Sequence, residues 1–468
     1  MNEMDIKNEN RICQNSKKDF LIESEDFNFY EKIKVPPPTF CPDCRRQRRF
    51  SFRNERNMYR RECGLCKNSN ISMYSVDKKF PVYCHSCWWG DKWDPIKQGV
   101  DYDFYKPFFI QFQELFNKVA RPALIISNTK NCNYCNYFAD GKECYLCFGS
   151  ILVENCMYGS PYESKDCVDT YLVRECEYCY GSIDCEKLSN SIFAQDCSNS
   201  LNLIYCFDCK NCNDCIGCVG LRSKNYFIFN KPYTREEYIE KRNQLLAVGR
   251  IGFEGIEKKF KELKLKFPHK FSITLQCIDS SGDHLVYSKN TKECFDLKKC
   301  KDVKYCKQII DTKDVYDANY CEFLELCYEY LGFWKVNQTK FSNTCGESNN
   351  LFYSDFCSAS SNLFGCVGLR NKNYCILNKQ YTKEQYEELV PKIIQHMNDI
   401  PYISTRKNPS TGSGQVYKYG EFFPPELSPF CYNETIAQEY FPLTKEQALE
   451  QGYKWRQGRE KLSNRYQE

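Results

Sequence analysis

The cysteines of residues 132–218 recur at a nearly constant interval, and this periodicity restricts the fold more than any other feature of the chain. Successive intervals of 21, 20, 21 and 21 residues separate Cys135, Cys156, Cys176, Cys197 and Cys218. Three later pairs, Cys300/Cys321, Cys306/Cys327 and Cys345/Cys366, are also 21 residues apart. A period of this size is typical of repeat proteins. With polar residues between the cysteines, it predicts a parallel β-solenoid whose coils contain about 21 residues and stack about 4.8 Å apart.

Cysteine suits the narrow interior of such a repeat because it is a small, weakly polar side chain. The chain has 33 cysteines in 468 residues, and disulfide frameworks of that density belong mainly to short secreted chains. This chain is long, its cysteine number is odd, and it starts without a signal peptide. No apolar run reaches the roughly 18 residues of a membrane helix. We therefore expect a cytoplasmic protein with reduced thiols and no membrane partner.

Five cysteines follow one another at every third residue: Cys206, Cys209, Cys212, Cys215 and Cys218. The run is similar to the cysteine motif of iron–sulfur ferredoxins, but no proline follows it and it continues the phase of the repeat. Packed thiols are therefore favoured over an iron–sulfur cluster or an additional zinc ion.

The repeat region is duplicated. Residues 217–241 match residues 365–389 at 17 of 25 positions, and both segments lead into a capping-box pattern, Thr234–Glu237 and Thr382–Gln385. We expect a first solenoid unit over 131–276 and a second over 277–404, each with a short helix that covers an exposed strand edge. Residues 405–468 then form a linker and a C-terminal extension. The linker is residues 405–415, and the extension contains a third capping box, Thr444–Gln447.

The N-terminal cysteines follow a different rule. Cys63, Cys66, Cys84 and Cys87 form a C-x2-C-x17-C-x2-C pattern, in which two tight turns point four thiolates at one Zn²⁺ ion. Four thiolates leave no position for water, so we expect a structural site, with His85 as a bystander. The alternative is a pair of buried thiol turns without metal.

A second pattern, C-x2-S-x24-C-x2-C, combines Cys13 with Cys41 and Cys44, and Ser16 stands at the position of a fourth cysteine. Three cysteines hold zinc together with water or an outside ligand, or hold none. A three-ligand zinc ion is similar to a catalytic site in ligand number alone, but no general base is placed beside it. Nor does the chain contain a P-loop, a dinucleotide-binding glycine motif or a nucleophile elbow. We therefore predict no enzyme and identify no small-molecule substrate.

Residues 45–61 form an Arg-rich strip between the cysteine pairs. Arginine binds phosphate with two parallel hydrogen bonds, and the interspersed Phe50, Phe52 and Tyr59 offer rings for base stacking. The strip predicts contact with RNA or the ribosome; a protein partner, or a solvated face paired with the acidic Glu23, Glu25 and Asp26, are the alternatives. The net charge is only +4, so a basic surface must be local. The predicted contact residues are Arg45, Arg46, Arg48, Arg49, Arg53, Arg56, Arg60 and Arg61.

An apolar stripe at helical spacing, from Phe108 to Val119, predicts an amphipathic helix within 101–130. We expect this helix and linker to dock the tandem zinc-ribbon module, residues 1–100, onto the repeats that follow.

Four segments carry a resemblance to a known group: residues 29–45 (FYEKIKVPPPTFCPDCR), 87–95 (CWWGDKWDP), 365–386 and 432–456. They resemble the largely uncharacterised CxxC zinc-ribbon, Cys-rich repeat proteins of small bacterial genomes. The resemblance implies zinc ribbons, a Cys-rich repeat body, cytoplasmic residence and no established activity. Members of the group usually carry cysteine where this chain has Ser16.

Together these features predict a mainly β protein with N-terminal tandem zinc ribbons followed by a duplicated Cys-rich parallel β-solenoid with capping helices. The predicted function is a non-enzymatic zinc-binding scaffold that contacts RNA or the ribosome through the Arg-rich strip. Two alternatives stay open, a metal-storage or thiol-redox protein that uses the solenoid cysteines, and a purely structural or assembly protein. Exposure of the thiols separates the redox alternative from the others, because reactive thiols need accessible surroundings.

Overall fold

A computed structural model describes residues 8–301, 303–305, 307–316, 319–329, 332, 336–337, 348–407 and 414–457. Strands are far more numerous than helices, so the protein is mainly β, as predicted. The chain divides into two compact units. One unit is Leu124–Phe271, and the other combines the described residues before position 124 with those after position 271. No helix in the described part of the chain is long and apolar enough to cross a membrane.

The unit Leu124–Phe271 contains an 11-stranded sheet, named here the first ladder. Its strands pair in parallel, except for an antiparallel pair at the end. Partner residues lie 12 positions apart, as in Ile126↔Phe138 and Leu201↔Asn213, and an irregularity near Ser160 interrupts this register. The strands are Ile126–Lys130, Asn136–Lys142, Tyr145–Glu154, Met157–Tyr162, Tyr171–Arg174, Glu177–Tyr180, Glu186–Ile192, Ser198–Ile204, Asn213–Ile216, Asn225–Ile228 and Lys231–Pro232.

This pairing offset is shorter than the interval of about 21 residues that the cysteines predicted. Side chains turn inward at every third position, and the run from Cys206 to Cys218 is fully buried. The offset between paired strands equals four such triplets. The cysteine interval equals seven triplets. Because seven is not a multiple of four, cysteines separated by this interval do not lie side by side on paired strands. Ser191 and Leu203 take inward positions between the cysteines, so the cysteines alone mark an incomplete subset of the inward positions.

A left-handed backbone residue precedes many of the inward cysteines. Asn155, Asp166 and Asp196 have φ values of 51°, 52° and 54°, each just before a buried cysteine. Asn and Asp tolerate this region better than other residues with a side chain. These three Asx–Cys pairs therefore mark left-handed backbone positions of the ladder.

Two helices, Arg235–Ala247 and Arg250–Lys264, follow the first ladder. The predicted capping box is present, because Thr234 accepts a hydrogen bond from the Glu237 amide and the Glu237 carboxylate accepts one from the Thr234 amide. Tyr238 and Ile256 pack with isoleucines of three successive strands, Ile204, Ile216 and Ile228. The helices thus cover an apolar column at the end of the ladder.

The other unit contains a 10-stranded sheet, named here the second ladder. It repeats the parallel offset of the first ladder, as in Phe295↔Lys307 and Ser361↔Asn373. The helix Lys383–Asp399 follows it, and its predicted capping box between Thr382 and Gln385 is present. The strands are Thr274–Leu275, Gly282–Val286, Cys294–Lys298, Lys307–Tyr316, Asn319–Tyr328, Val336–Asn337, Ser348–Phe352, Ser361–Phe364, Asn373–Ile376 and Lys379–Gln380.

Some cysteines that define the later intervals of the sequence lie outside the description. Cys306 and Cys345 are not among the described residues, and neither are the side chains of Cys321 and Cys327. The predicted interval is therefore tested in the first ladder alone.

Two antiparallel hairpins lie near the N-terminus. The first hairpin is Glu9–Ile12 with Asp19–Ile22, and the second hairpin is Tyr59–Glu62 with Ser69–Ser72. Val82–Tyr83 pairs in parallel with Arg121–Pro122. The remaining N-terminal elements are the α-helices Ser24–Lys32, Pro42–Phe50, His85–Trp89 and Phe108–Lys118 and the 3-10 helix Pro95–Gln98.

The predicted amphipathic helix is present as Phe108–Lys118. Phe108 packs against Phe364 of the second ladder and against Tyr353, which directly follows a ladder strand, and Phe112 packs against Phe423. The aromatic face of this helix therefore packs on the second ladder and the C-terminal segment. Both lie much later in the sequence than the first ladder, which directly follows the helix.

The C-terminal segment folds against this same unit. Part of the predicted linker belongs to an antiparallel pair, Tyr402–Lys407 with Gly414–Tyr417, and residues 408–413 lie outside the description. The predicted capping box at Thr444 is present and begins the helix Lys445–Glu450. The other elements are the 3-10 helices Pro425–Leu427 and Tyr432–Glu434 and the helix Ala437–Tyr440.

Candidate metal centres

The second hairpin presents two of the predicted metal ligands. Cys63 directly follows its first strand, and a tight turn closes when the Lys67 amide donates to the Cys63 carbonyl at 3.0 Å and the Cys63 amide donates to the Asn68 carbonyl at 2.9 Å. Lys67 has a φ of 65°, which reverses the chain within the turn. The other two ligands come from the start of the helix His85–Trp89, where Cys84 is the N-cap residue.

The sulfur atoms of Cys63, Cys66, Cys84 and Cys87, the four-cysteine centre, all lie within 4.8 Å of one another. The Sγ atoms of Cys66 and Cys84 are 3.8 Å apart. A tetrahedral metal ion with metal–sulfur bonds of about 2.3 Å requires sulfur–sulfur edges of about 3.8 Å. The four-cysteine centre therefore has the donor set and spacing that could hold one metal ion.

Backbone amides stabilise the thiolate form at this centre. The Cys84 amide donates to Cys63 Sγ at 3.3 Å. Burial raises the pKa of Cys63, but N–H groups of Cys66, Cys84 and Leu65 outweigh it and lower this pKa to about 6. Burial lowers the pKa of His85, and its ring lies beside Trp89 with the centroids 6.5 Å apart. Among the described residues, the converging donor group contains the four cysteines and not His85.

A second group of converging thiols, the three-cysteine centre, consists of Cys13, Cys41 and Cys44. Cys13 directly follows a strand of the first hairpin, and Cys41 is the N-cap residue of the helix Pro42–Phe50. The Cys41 amide donates to Cys13 Sγ at 3.2 Å, and Asn15 Nδ2 donates to Cys44 Sγ at 3.3 Å. The side chains of Cys41 and Cys44 lower the pKa of Cys13 through hydrogen bonds. This centre also could hold a metal ion.

The ladder cysteines do not converge in this way. Over the part of the chain that the structure describes, no three of their sulfur atoms lie mutually within 4.8 Å. Their thiols instead donate to backbone carbonyls: Cys206 Sγ lies 3.5 Å from the Cys215 carbonyl oxygen, and Cys212 Sγ lies 3.3 Å from that of Lys210. This geometry favours packed thiols over an iron–sulfur cluster or a further zinc site in the run 206–218.

The structure corrects half of the predicted Arg-rich contact surface. Arg45, Arg48, Arg49 and Arg53 are at most 3% exposed. Arg48 contacts the carboxylates of Glu329 and Glu421 at 2.6 and 3.1 Å. Arg49 and Arg53 also pair with carboxylates, those of Glu329 and Glu55, whereas Arg45 donates to the Phe40 carbonyl at 2.7 Å. Buried guanidinium groups with such partners have no face for a phosphate. Attraction from Glu329 and Glu421 outweighs burial and raises the pKa of Arg48.

The other four predicted residues lie at or near the surface. Arg46 pairs with Asp43 at 2.8 Å and Arg56 with Glu439 at 2.9 Å, while Arg61 donates to the Ser75 carbonyl. Arg60 is exposed on a strand of the second hairpin. Glu23 and Asp26, which the solvated-face alternative pairs with the strip, contact Lys304, each at 2.6 Å.

Sequence reasoning missed the buried carboxylates Glu329 and Glu421 because they lie hundreds of residues from the strip and have no local motif. It also missed Gln415, whose side-chain amide donates to Asn15 Oδ1 at 2.7 Å and so holds a residue that contacts the three-cysteine centre.

No known protein-family model matches the chain, and no curated protein matches it significantly. The site assignments therefore depend on the donor geometry described above.

Proposed function

We propose that this protein is a non-enzymatic, zinc-binding scaffold whose four-cysteine centre holds one structural Zn²⁺ ion. The convergence of Cys63, Cys66, Cys84 and Cys87 at the spacing of a tetrahedral metal ion carries the proposal. Four sulfur donors in a tetrahedral arrangement favour Zn²⁺ among the common ions. All four positions are then filled by protein, which leaves no open position for a substrate.

The bound ion would supply rigidity to the second hairpin. This hairpin anchors the C-terminal segment, because the Tyr59 hydroxyl donates to Glu434 Oε1 at 2.6 Å. Just beyond the hairpin, the ring of Tyr74 stacks on Phe430 with centroids 5.1 Å apart and an interplanar angle of 2°. Zinc binding would therefore support contacts between distant segments of this unit, which is the role of a structural metal.

In the same proposal the two ladders are β-solenoids. Parallel pairing at a nearly constant offset and one inward side chain in every three support this interpretation. Reduced cysteines fill the interior of the first ladder, and their thiols already have carbonyl partners. A packed and hydrogen-bonded thiol is a poor redox group, so the scaffold interpretation is favoured over storage or redox chemistry.

Contact with RNA or the ribosome stays a prediction, now limited to the accessible arginines. Arg60 is the strongest candidate for RNA contact, since it is exposed on the hairpin that the metal would make rigid. We expect Arg60→Ala to weaken RNA binding and to reduce its salt dependence without changing the metal content. An identical affinity at several salt concentrations would contradict RNA contact at this position.

The metal assignment is tested by elemental analysis of protein purified without oxygen. We expect one or two zinc ions per chain and no iron, and the double variant Cys63→Ala/Cys66→Ala, which removes two of the four sulfur donors, should lose one zinc. The matched control is Cys212→Ser, which alters a ladder cysteine and should keep the wild-type zinc content. Stoichiometric iron, four or more metal ions, or an unchanged zinc content in Cys63→Ala/Cys66→Ala would contradict the proposal.

A further inference from the structure

The two N-terminal hairpins form the same turn. In the first hairpin the Cys13 amide donates to the Lys18 carbonyl at 2.9 Å and the Lys17 amide to the Cys13 carbonyl at 3.1 Å. The corresponding bonds of Cys63 in the second hairpin measure 2.9 and 3.0 Å. Lys17, like Lys67, has a positive φ, here 59°. The turns therefore correspond residue for residue, and Ser16 stands where Cys66 stands.

The hydroxyl of Ser16 takes the position of the missing sulfur atom. Ser16 Oγ lies 3.6 Å from Cys41 Sγ, and the equivalent pair, Cys66 Sγ and Cys84 Sγ, is 3.8 Å apart. With metal–sulfur bonds of about 2.3 Å and a metal–oxygen bond of about 2.0 Å, a tetrahedral edge between sulfur and oxygen measures about 3.5 Å. Ser16 Oγ thus marks the fourth vertex of a tetrahedron whose other three vertices are thiolates.

A hydroxyl at this vertex makes a different metal site from four thiolates. Three thiolates and a divalent ion carry a net charge of −1, whereas four thiolates bring the net charge to −2. A neutral serine hydroxyl is a weaker and harder donor for zinc than a thiolate. Three strong protein ligands with one weak position form the kind of site that exchanges its fourth ligand.

This vertex faces a cavity of about 390 Å³, within the size range of small-molecule sites. Ser16, Cys41 and Cys44 line it together with polar side chains, among them Lys18 and Gln47. Gln415 also lines the cavity and holds Asn15, which contacts Cys44 Sγ, so the wall and the ligands are connected. Asp43 also lines the cavity, but its carboxylate pairs with Arg46 at 2.8 Å. The ammonium group of Lys18 and the side-chain amides suit a small anion with polar groups.

We propose that the three-cysteine centre holds an exchangeable metal ion, with Ser16 as its weak fourth ligand, and that small thiols with a carboxylate bind this metal from the cavity. The incoming thiol loses its proton to solvent, its sulfur binds the metal, and the Ser16 hydroxyl leaves the coordination sphere without a change in oxidation state. The carboxylate of the thiol faces Lys18 and the cavity amides. The inference rests on the proposed metal-binding function and extends it to a ligand-responsive site.

Cobalt substitution of the full chain tests the proposal, because the visible d–d absorption of Co²⁺ reports the donors around it. We expect two Co²⁺ ions per chain, one in an all-sulfur site and one in a site with three sulfur donors. L-Cysteine should shift the absorption of the second ion saturably toward that of the first while both ions stay bound. L-Serine, which lacks the thiol, should leave the spectrum unchanged.

Ser16→Cys is the matched variant, since it converts the first hairpin to the ligand set of the second. It should bind two Co²⁺ ions with all-sulfur spectra from the outset and lose the response to L-cysteine. Two bound ions in the wild type without a response would overturn the inference, as would a second ion that binds only in Ser16→Cys; in both cases the four-cysteine centre still stands. Absence of Co²⁺ from both centres would instead overturn the proposed function itself.

Discussion

Arg48 donates a hydrogen bond of 2.6 Å to the carboxylate of Glu329, which lies far from it along the chain. Both side chains are almost completely buried, and a second carboxylate, Glu421, accepts from the same guanidinium group. Short bonds between buried opposite charges are strong because little water screens them. The contact connects the helix Pro42–Phe50, the second ladder and the C-terminal segment.

Replacement of Arg48 by Met should therefore destabilise this unit strongly. Glu329 and Glu421 would both lose the Arg48 cation, although Glu329 would keep Arg49 at 3.6 Å. Breaking a buried ion pair from one side typically lowers the free energy of unfolding by about 3–5 kcal/mol. Urea unfolding followed by tryptophan fluorescence measures the change. The control is Arg46→Met in the same helix, which breaks a surface pair with Asp43 and should alter the free energy by at most about 1 kcal/mol. Equal effects of the two variants would contradict the structural role of Arg48.

Removal of metal should loosen the second hairpin and spare the first ladder. Structural zinc in small cysteine-rich sites contributes about 10–16 kcal/mol of binding free energy that is coupled to folding. After chelation in reducing buffer, we expect faster amide hydrogen exchange over residues 59–87 and unchanged exchange over residues 198–216. Mass spectrometry of peptides resolves both regions. Unaltered protection of the hairpin would mean that it folds without metal.

Thiol labelling should distinguish the buried ladder cysteines, the partly exposed cysteines and the cysteines of the four-cysteine centre. In the metal-loaded native protein, the fully buried run from Cys206 to Cys218 should resist alkylation, while the partly exposed Cys132 and Cys277 react. Chelation should then make Cys66 reactive, since its thiol lies at the surface of the four-cysteine centre and loses its metal. Site-resolved mass spectrometry gives each rate. Rapid labelling of the ladder run in the native state would favour the thiol-redox alternative.

The acidic cluster around Lys304 should make stability fall at low pH. Hydrogen bonds from Lys292 and Lys304 lower the pKa of Glu23 below its ordinary value of 4.5. The stabilisation is thus present above pH 4.5 and is lost as the pH falls through the lower, native pKa, since the unfolded chain then binds more protons. The pKa of Lys304 is raised, so its own charge stays constant in this range.

Lys304→Met removes one of these cations and should flatten the loss of stability between about pH 5 and pH 3. Urea midpoints at a series of pH values report the slope, and Lys289→Met, which alters an exposed lysine of the same ladder, serves as the control. If stability falls with pH as steeply in this variant as in the wild type, Lys304 does not lower the pKa of Glu23.

Much of the fold could be predicted because its signals are local. The Thr234, Thr382 and Thr444 capping boxes are each present, since a cap forms within one helical turn. The offset between paired strands could not be predicted from the cysteines, because Ser191 and Leu203 occupy equivalent inward positions. The spacing of equivalent inward residues became visible only from the register of the paired strands, as in Leu188↔Ser200.

The amino-acid sequence alone identified the cysteines of the two candidate metal centres, because a CxxC turn brings its own two sulfur atoms together over a single turn of chain. It also determined the helix starts and the mainly β character, which arise from contacts between near neighbours. Only the tertiary structure decided the environment of the Arg-rich strip, since a run of arginines is equally compatible with solvent and with buried carboxylates. Glu329 and Glu421 settle that choice for Arg48, because they approach it only after the ladder and the C-terminal segment have packed around the helix.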